Sequence, residues 1–195
     1  ILRLANHVAA AFSRRRHRQI PAASLEQQQQ SQVGDHLAGE LPRIGSHAPD
    51  VSLVNTRLHD VSLMHWSDKR KIMYIGISVD SETCARSVIR FDEYAAGCDD
   101  IALLVVTYDL PFAHKRFGQA HDLQVAEGLS AIRHAGFGEN YGVRIVDGPL
   151  AGMFSPAVLV LDENNSIVHR EHMEDITTEP DYEAAFRALG IDIDE

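Results

Sequence analysis

Lys71-Ile-Met-Tyr-Ile-Gly-Ile-Ser-Val79 is a continuous apolar run of strand length, and Asp80-Ser-Glu-Thr-Cys84 carries it directly into a helical pattern. A run of this kind suits a strand in a sheet covered on both faces. Over residues 83–96, Cys84, Val88, Phe91 and Ala95 fall at i, i+4, i+7 and i+11, which is one face of a helix. Asp80 or Ser81 can cap its start and Gly97 its end. A buried strand leading through a short connection into an amphipathic helix is the repeating unit of an α/β sheet.

The flanking sequence extends the pattern. Ile101–Thr107 reads as a second buried strand, and Leu110–Phe117 as a helix with Pro111 in its first turn. Ala157–Leu161 is a third strand. Asp162-Glu-Asn-Asn165 turns into a fourth over Ser166–His169, which predicts a hairpin. Pro180 opens a last helix with Tyr182, Ala185, Phe186 and Leu189 on one stripe, ended by Gly190. The order predicts a sheet with helices on both faces.

The 195 residues hold 18 basic and 28 acidic side chains, with 45% hydrophobic residues, an ordinary globular composition. Residues 1–24 carry Arg3, Arg14, Arg15, Arg16 and Arg18 and no acid. The rest of the chain is strongly acidic, which argues against nucleic-acid binding by the domain itself. No apolar run approaches the ~18 residues of a membrane span. Leu4, Val8 and Phe12 allow one short amphipathic helix over residues 2–13. This basic arm reads as a solvated tail, as an organelle presequence, or as a docking arm for an acidic protein partner through residues 1–18. Residues 19–41, with Gln27–Gln30, read as a polar linker, so the expected division is arm and linker over 1–41 and one domain over 42–195.

Two cysteines cannot form a disulfide scaffold, which favours a reducing compartment and a cytoplasmic location, or an organelle matrix if the arm is a presequence. Cys84 stands in the first turn of its helix, where exposed amides and the helix dipole favour a thiolate. Position alone also fits a small buried hydrophobe. Cys98 follows Gly97 and precedes Asp99 and Asp100, whose charges disfavour its thiolate.

Val79-Asp-Ser-Glu-Thr-Cys84 followed by Ser87-Val-Ile-Arg-Phe91 resembles the active-site loop and helix of peroxiredoxins, and more narrowly of bacterial-type thiol peroxidases, the atypical two-cysteine branch. The resemblance is carried further by Asp109-Leu-Pro-Phe-Ala113 with Arg116-Phe117, Tyr141-Gly-Val143, Asp147-Gly-Pro-Leu150, Leu161-Asp-Glu-Asn164 and Asp175-Ile-Thr-Thr-Glu-Pro-Asp-Tyr-Glu-Ala-Ala185. It implies a thioredoxin-like fold, a central mixed sheet flanked by helices, and a homodimer. It also implies a peroxide substrate, a thiol reductant such as thioredoxin, and no cofactor.

Residue by residue, the resemblance makes Cys84 the peroxidatic cysteine and Ser81 the hydroxyl that hydrogen-bonds thiolate and peroxide. It makes Arg133 the arginine that fixes the thiolate. The amides of Thr83 and Cys84 complete the peroxide site, and Ile77 shields it from water. Ser81, Cys84 and Arg133 are then expected to converge. Three positions depart from the family pattern. Ile77 replaces a proline, Gly118 stands where the branch has its resolving cysteine, and Pro156 replaces an arginine before the third strand. Cys98 cannot resolve Cys84 within one chain, because 14 residues of helix separate the two by roughly 20 Å against a disulfide limit of ~7 Å.

His169-Arg-Glu-His172 lacks further ligands and reads as surface histidines, so no metal is expected. Gly136-Phe-Gly138 lacks the setting of a phosphate loop. Two functions follow from the resemblance. One is a thiol peroxidase that runs a one-cysteine cycle with an external thiol. The other is a weakened peroxiredoxin-fold subunit that serves as a structural or redox-sensing part of a larger assembly, docked through its basic N-terminal arm.

Overall fold

The computed structural model describes residues 36–193. The expectations for the basic arm and the glutamine tract lie outside these residues. Among the described residues, no helix is long and apolar enough to cross a membrane.

The apolar run over residues 71–79 supplies the central strand of the molecule. β3 (Arg70–Ile75) pairs in parallel with β4 (Ile101–Thr107), Arg70 opposite Ile101. On its other side β3 pairs antiparallel with β6 (Ala157–Leu161), and β7 (Ile167–His172) folds back on β6 as the expected hairpin. Beyond β4 lie β5 (Ala126–Ser130), parallel, then β1 (Ser52–Asn55) and β2 (Asp60–Ser62), antiparallel. The seven strands run β2-β1-β5-β4-β3-β6-β7, a mixed sheet of thioredoxin-like type. The three strands β1, β2 and β5 carry no long apolar run and are additions to the four strands expected from the sequence.

Alternate side chains of the central strands enter two separate cores, as the two-residue period of a strand requires. Ile72, Tyr74, Leu103, Val105, Val158 and Val160 pack under three helices: α1 (Glu82–Ala95), α2 (Pro111–Ala120) and, beyond the short α3 (Phe137–Asn140), α4 (Tyr182–Arg187). Met73, Ile75, Leu104 and Val106 face the other way, against Trp66, Phe137, Tyr141 and Phe154. The expectation of helices on both faces needs correction in detail. The second face has only a 3-10 turn at Leu63–Trp66 and the four-residue α3, and loop aromatics cover the rest.

Two fastenings fix the helix α1 and the opening of the domain. The buried Asp92 carboxylate, in the last turns of α1, accepts the amides of Gln124, Val125 and Ala126 at 2.8, 2.9 and 2.7 Å. It thereby ties α1 to the start of β5. Residues near the start of the described chain cross Gly142, whose φ is +65°. A Cβ there would lie 2.2 Å from the carbonyl carbon of Glu40, so only glycine fits.

Candidate active site

β3 ends at Ile75, sooner than the apolar run suggested, and residues 76–81 turn over the sheet edge into α1. The turn is held by Asp109, just past β4. Its carboxylate accepts the Val79 amide at 2.7 Å, the Ser78 hydroxyl at 3.0 Å and the Thr107 hydroxyl at 2.9 Å. Thr107 also bonds the Nε2 atom of the buried His114 at 3.0 Å. Burial holds the His114 imidazole far below its ordinary value, at about 4, against the opposing pull of Asp109. Arg116 reaches Asp80 at 2.8 Å from α2. Asp109 and Arg116 belong to the segments that carried the family resemblance, but nothing in their spacing indicated that their work is to hold this turn.

Ser81 is the N-cap of α1, as one of the two expected caps. Its hydroxyl accepts the Cys84 amide at 3.5 Å, a long cap bond, and its carbonyl accepts the Ala85 amide at 2.8 Å. Ser81, Thr83 and Cys84 therefore share the first turn of one helix, where the leading amides lack intrahelical partners. Thr83 is buried, and its carbonyl accepts the Ser87 hydroxyl at 2.9 Å. Ile77 is half-buried and packs against the core that holds Cys84 and against the small cluster of Ile145, Leu150 and Ile176. Cys84 is 1% exposed. Its thiol lies over Gly76, where a Cβ would come within 3.2 Å of the sulfur.

Arg133 does not join this group. Its guanidinium is half exposed and pairs with Asp60 at 3.5 Å, beside His134, which bonds the same carboxylate at 3.4 Å. Asp60 lies on β2, four strands away from β3 in the sheet order, which is about 19 Å at ~4.8 Å per strand. The expected convergence of Arg133 on the thiol is absent from this geometry. The register brings a different position to the neighbourhood of Gly76, over which the thiol lies. Ala157 pairs with Ile75 in the antiparallel ladder, so Pro156 falls opposite Gly76, on the face that carries Cys84. Proline has no side-chain donor.

Gly118 lies on the wall of a cleft of about 880 Å³ that also includes Val79 and Val88, one turn along α1 from Cys84. No atom lies within 4 Å of where its Cβ would stand. Cys98 follows the end of α1, half-buried, past Gly97 with its φ of +92°. Both cysteines are free. His172 is tied to Ser155 at 2.8 Å, and among the described residues no group of three acidic, histidine or cysteine side chains is placed to hold a metal.

The family model described as Redoxin matches residues 43–186. A thiol peroxidase of Corynebacterium glutamicum is 38% identical over 153 residues, which cover 78% of this chain and 92% of that one. Among solved structures, a thiol peroxidase from Chromobacterium violaceum is similar at 29% identity and a TM-score of 0.72, covering 79% of this chain and 89% of the other. A peroxiredoxin-like protein from Aquifex aeolicus gives 29% identity and 0.73, with 79% and 90% covered. The likeness thus holds in sequence and in fold, on a thioredoxin-like sheet with a buried thiol at the start of α1, and the chain belongs to the peroxiredoxin superfamily, in its bacterial-type thiol peroxidase branch.

Proposed function

We propose that the chain is a thiol-dependent peroxidase in which Cys84 is the peroxidatic residue and an external thiol completes the cycle. The observation that carries this reading is the placement of Cys84 in the first turn of α1, behind the Ser81 cap and a turn anchored by Asp109. Free amides at a helix start favour a thiolate and can also hold the oxygen of a peroxide. The thiolate sulfur attacks the terminal oxygen of hydrogen peroxide or a small organic hydroperoxide. The O–O bond breaks, the sulfur takes the terminal OH and becomes a sulfenic acid, and the departing oxygen takes a proton from solvent and leaves as water or an alcohol. One external thiol, thioredoxin or a small thiol, condenses with the sulfenic acid, releasing water and leaving a mixed disulfide. A second thiol attacks the outer sulfur of that mixed disulfide, releases Cys84 as a thiolate, and the two external thiols leave oxidised as a disulfide, having supplied the two electrons.

The cycle uses an external thiol because Gly118 offers none and about 16 Å of helix separates Cys84 from Ala95, with Cys98 further on. With Cys84 1% exposed, peroxide reaches it when the long cap bond of Ser81 opens and the first turn of α1 gives way. The second reading, a redox-sensing subunit, draws on Pro156 and on the distance of Arg133. Peroxide consumption separates the two. A peroxidase consumes many equivalents with thioredoxin and its reductase, loses this in Cys84→Ser and keeps it in Cys98→Ser. A sensor reacts once per chain and stops. Turnover that survives Cys84→Ser overturns both.

A further inference from the structure

Pro156 falls opposite Gly76 where the family pattern has an arginine, and the side chain that meets the Cys84 sulfur is a tyrosine. Tyr74 and Gly76 are two residues apart at the end of β3 and project to one face. A Cβ at Gly76 would lie 3.1 Å from Tyr74 Cε1 and 3.2 Å from Cys84 Sγ. The ring edge and the sulfur therefore converge on the space that glycine leaves empty. Both residues are 1% exposed. The phenol meets the Cys84 thiol and the Ser87 hydroxyl, and its ring packs against Phe91 at 6.0 Å between centroids.

We propose that the Tyr74 hydroxyl donates a hydrogen bond to the Cys84 thiolate and is a catalytic residue of the peroxide reaction, in the place that Pro156 leaves without a cation. The proposal rests on Cys84 being the peroxidatic residue. Burial first, and the neighbouring thiol second, push the Tyr74 phenol well above its ordinary value. It stays protonated wherever the thiolate forms, and so remains a donor. A neutral phenol is also easier to bury than a guanidinium, which suits a pocket closed to water.

The charged groups around this point are neutralised among themselves. Glu82 and Glu179 both bind Arg86, at 2.6 and 3.0 Å, and Arg90 lies over the ring of Tyr182 at 5.9 Å. Tyr182, from α4, gives its hydroxyl to Glu179 at 2.8 Å. Just before β6, Pro156 falls opposite Gly76, and from the turn comes the hydroxyl of Ser81, which accepts the Cys84 amide. With Ser81 engaged on the Cys84 amide, the Tyr74 phenol is a donor on the strand side of the sulfur.

The test uses the full chain with Cys98→Ser, so that one cysteine remains, and follows the Cβ signal of isotopically labelled cysteine by NMR against pH. Tyr74→Phe removes only the hydroxyl. It is expected to move the ionisation midpoint of Cys84 upward by about one pH unit, the size of one hydrogen bond to a charged group. Gly76→Ala, which inserts a methyl between ring and sulfur, is expected to move it the same way. An unchanged midpoint in both variants, with the folded spectrum retained, overturns the proposal. Peroxide is absent from this titration. If the parent chain shows no peroxidase turnover while Tyr74→Phe still shifts the midpoint, it is the peroxidase reading that fails and the hydrogen bond that stands. If the parent turns over and the midpoint does not move, the reverse holds.

Discussion

The two ends of α1 are fastened in different ways. At the C-terminal end the Asp92 carboxylate takes three backbone amides of another segment, each at 2.9 Å or less, in a buried site. At the N-terminal end Asp109 takes one amide and two hydroxyls, and the helix itself begins on a cap bond of 3.5 Å. Three stranded amides would be expensive, whereas hydroxyls can turn to new partners. One end is therefore built to hold, and the other can open without disturbing the sheet. Cys84 lies at the end that can open and Cys98 at the end that holds. The two cysteines therefore sit in different surroundings, one within the first turn of α1 and the other just past its end.

The largest effect is expected at the holding end. Asp92→Ala leaves three part-buried amides without their acceptor and should cost about 3 kcal/mol in urea unfolding. Asp92→Asn keeps one oxygen and should recover part of the loss. A cost below about 1 kcal/mol for the alanine variant would remove the contrast between the two ends.

A smaller effect tests the opening end through His114, which supports Thr107 and thus Asp109. Its folded value of about 4 lies below the ordinary 6.5. A depressed histidine contributes fully above its unfolded value, and the contribution is lost as pH falls from 6.5 toward 4, while the unfolded chain takes up a proton that the folded chain refuses. The loss is at most about 3 kcal/mol across that window. The parent chain should therefore lose more stability than His114→Gln between about pH 7 and about pH 4.5, measured by chemical unfolding at both. Parallel losses would mean that the imidazole is not kept neutral by its burial against Gly128, where a Cβ would lie 2.5 Å from the histidine's own.

The central strands were legible in the sequence because burial on both faces writes a continuous apolar run, as in Ile101–Thr107 and Ala157–Leu161. β5 was not, because Ala126-Glu-Gly-Leu-Ser130 spends its positions on neighbours: Gly128 makes room for His114, and Glu127 accepts the Trp66 indole N–H at 2.8 Å. Cys84 and Ser81 were legible together because the three-residue spacing at one helix start fixes their relation locally. Arg133 could not be placed in this way. Its partner depends on strand order, which puts β2 rather than β3 beside it, and the same ladder sets position 156 opposite Gly76. Tyr74 was hidden for a related reason, since an apolar strand offers no sign that one of its rings faces a thiol. Gly76, the interruption two residues later, was the only trace.

Peroxide chemistry in this chain turns on one claim, that peroxide reacts at Cys84 and not at Cys98. The direct measurement treats the full chain with a single equivalent of hydrogen peroxide in the presence of a sulfenate-trapping dione and locates the adduct by peptide mass spectrometry. The predicted result is an adduct on Cys84 with Cys98 unmodified. An adduct on Cys98, or none on either cysteine while peroxide is consumed, would contradict it.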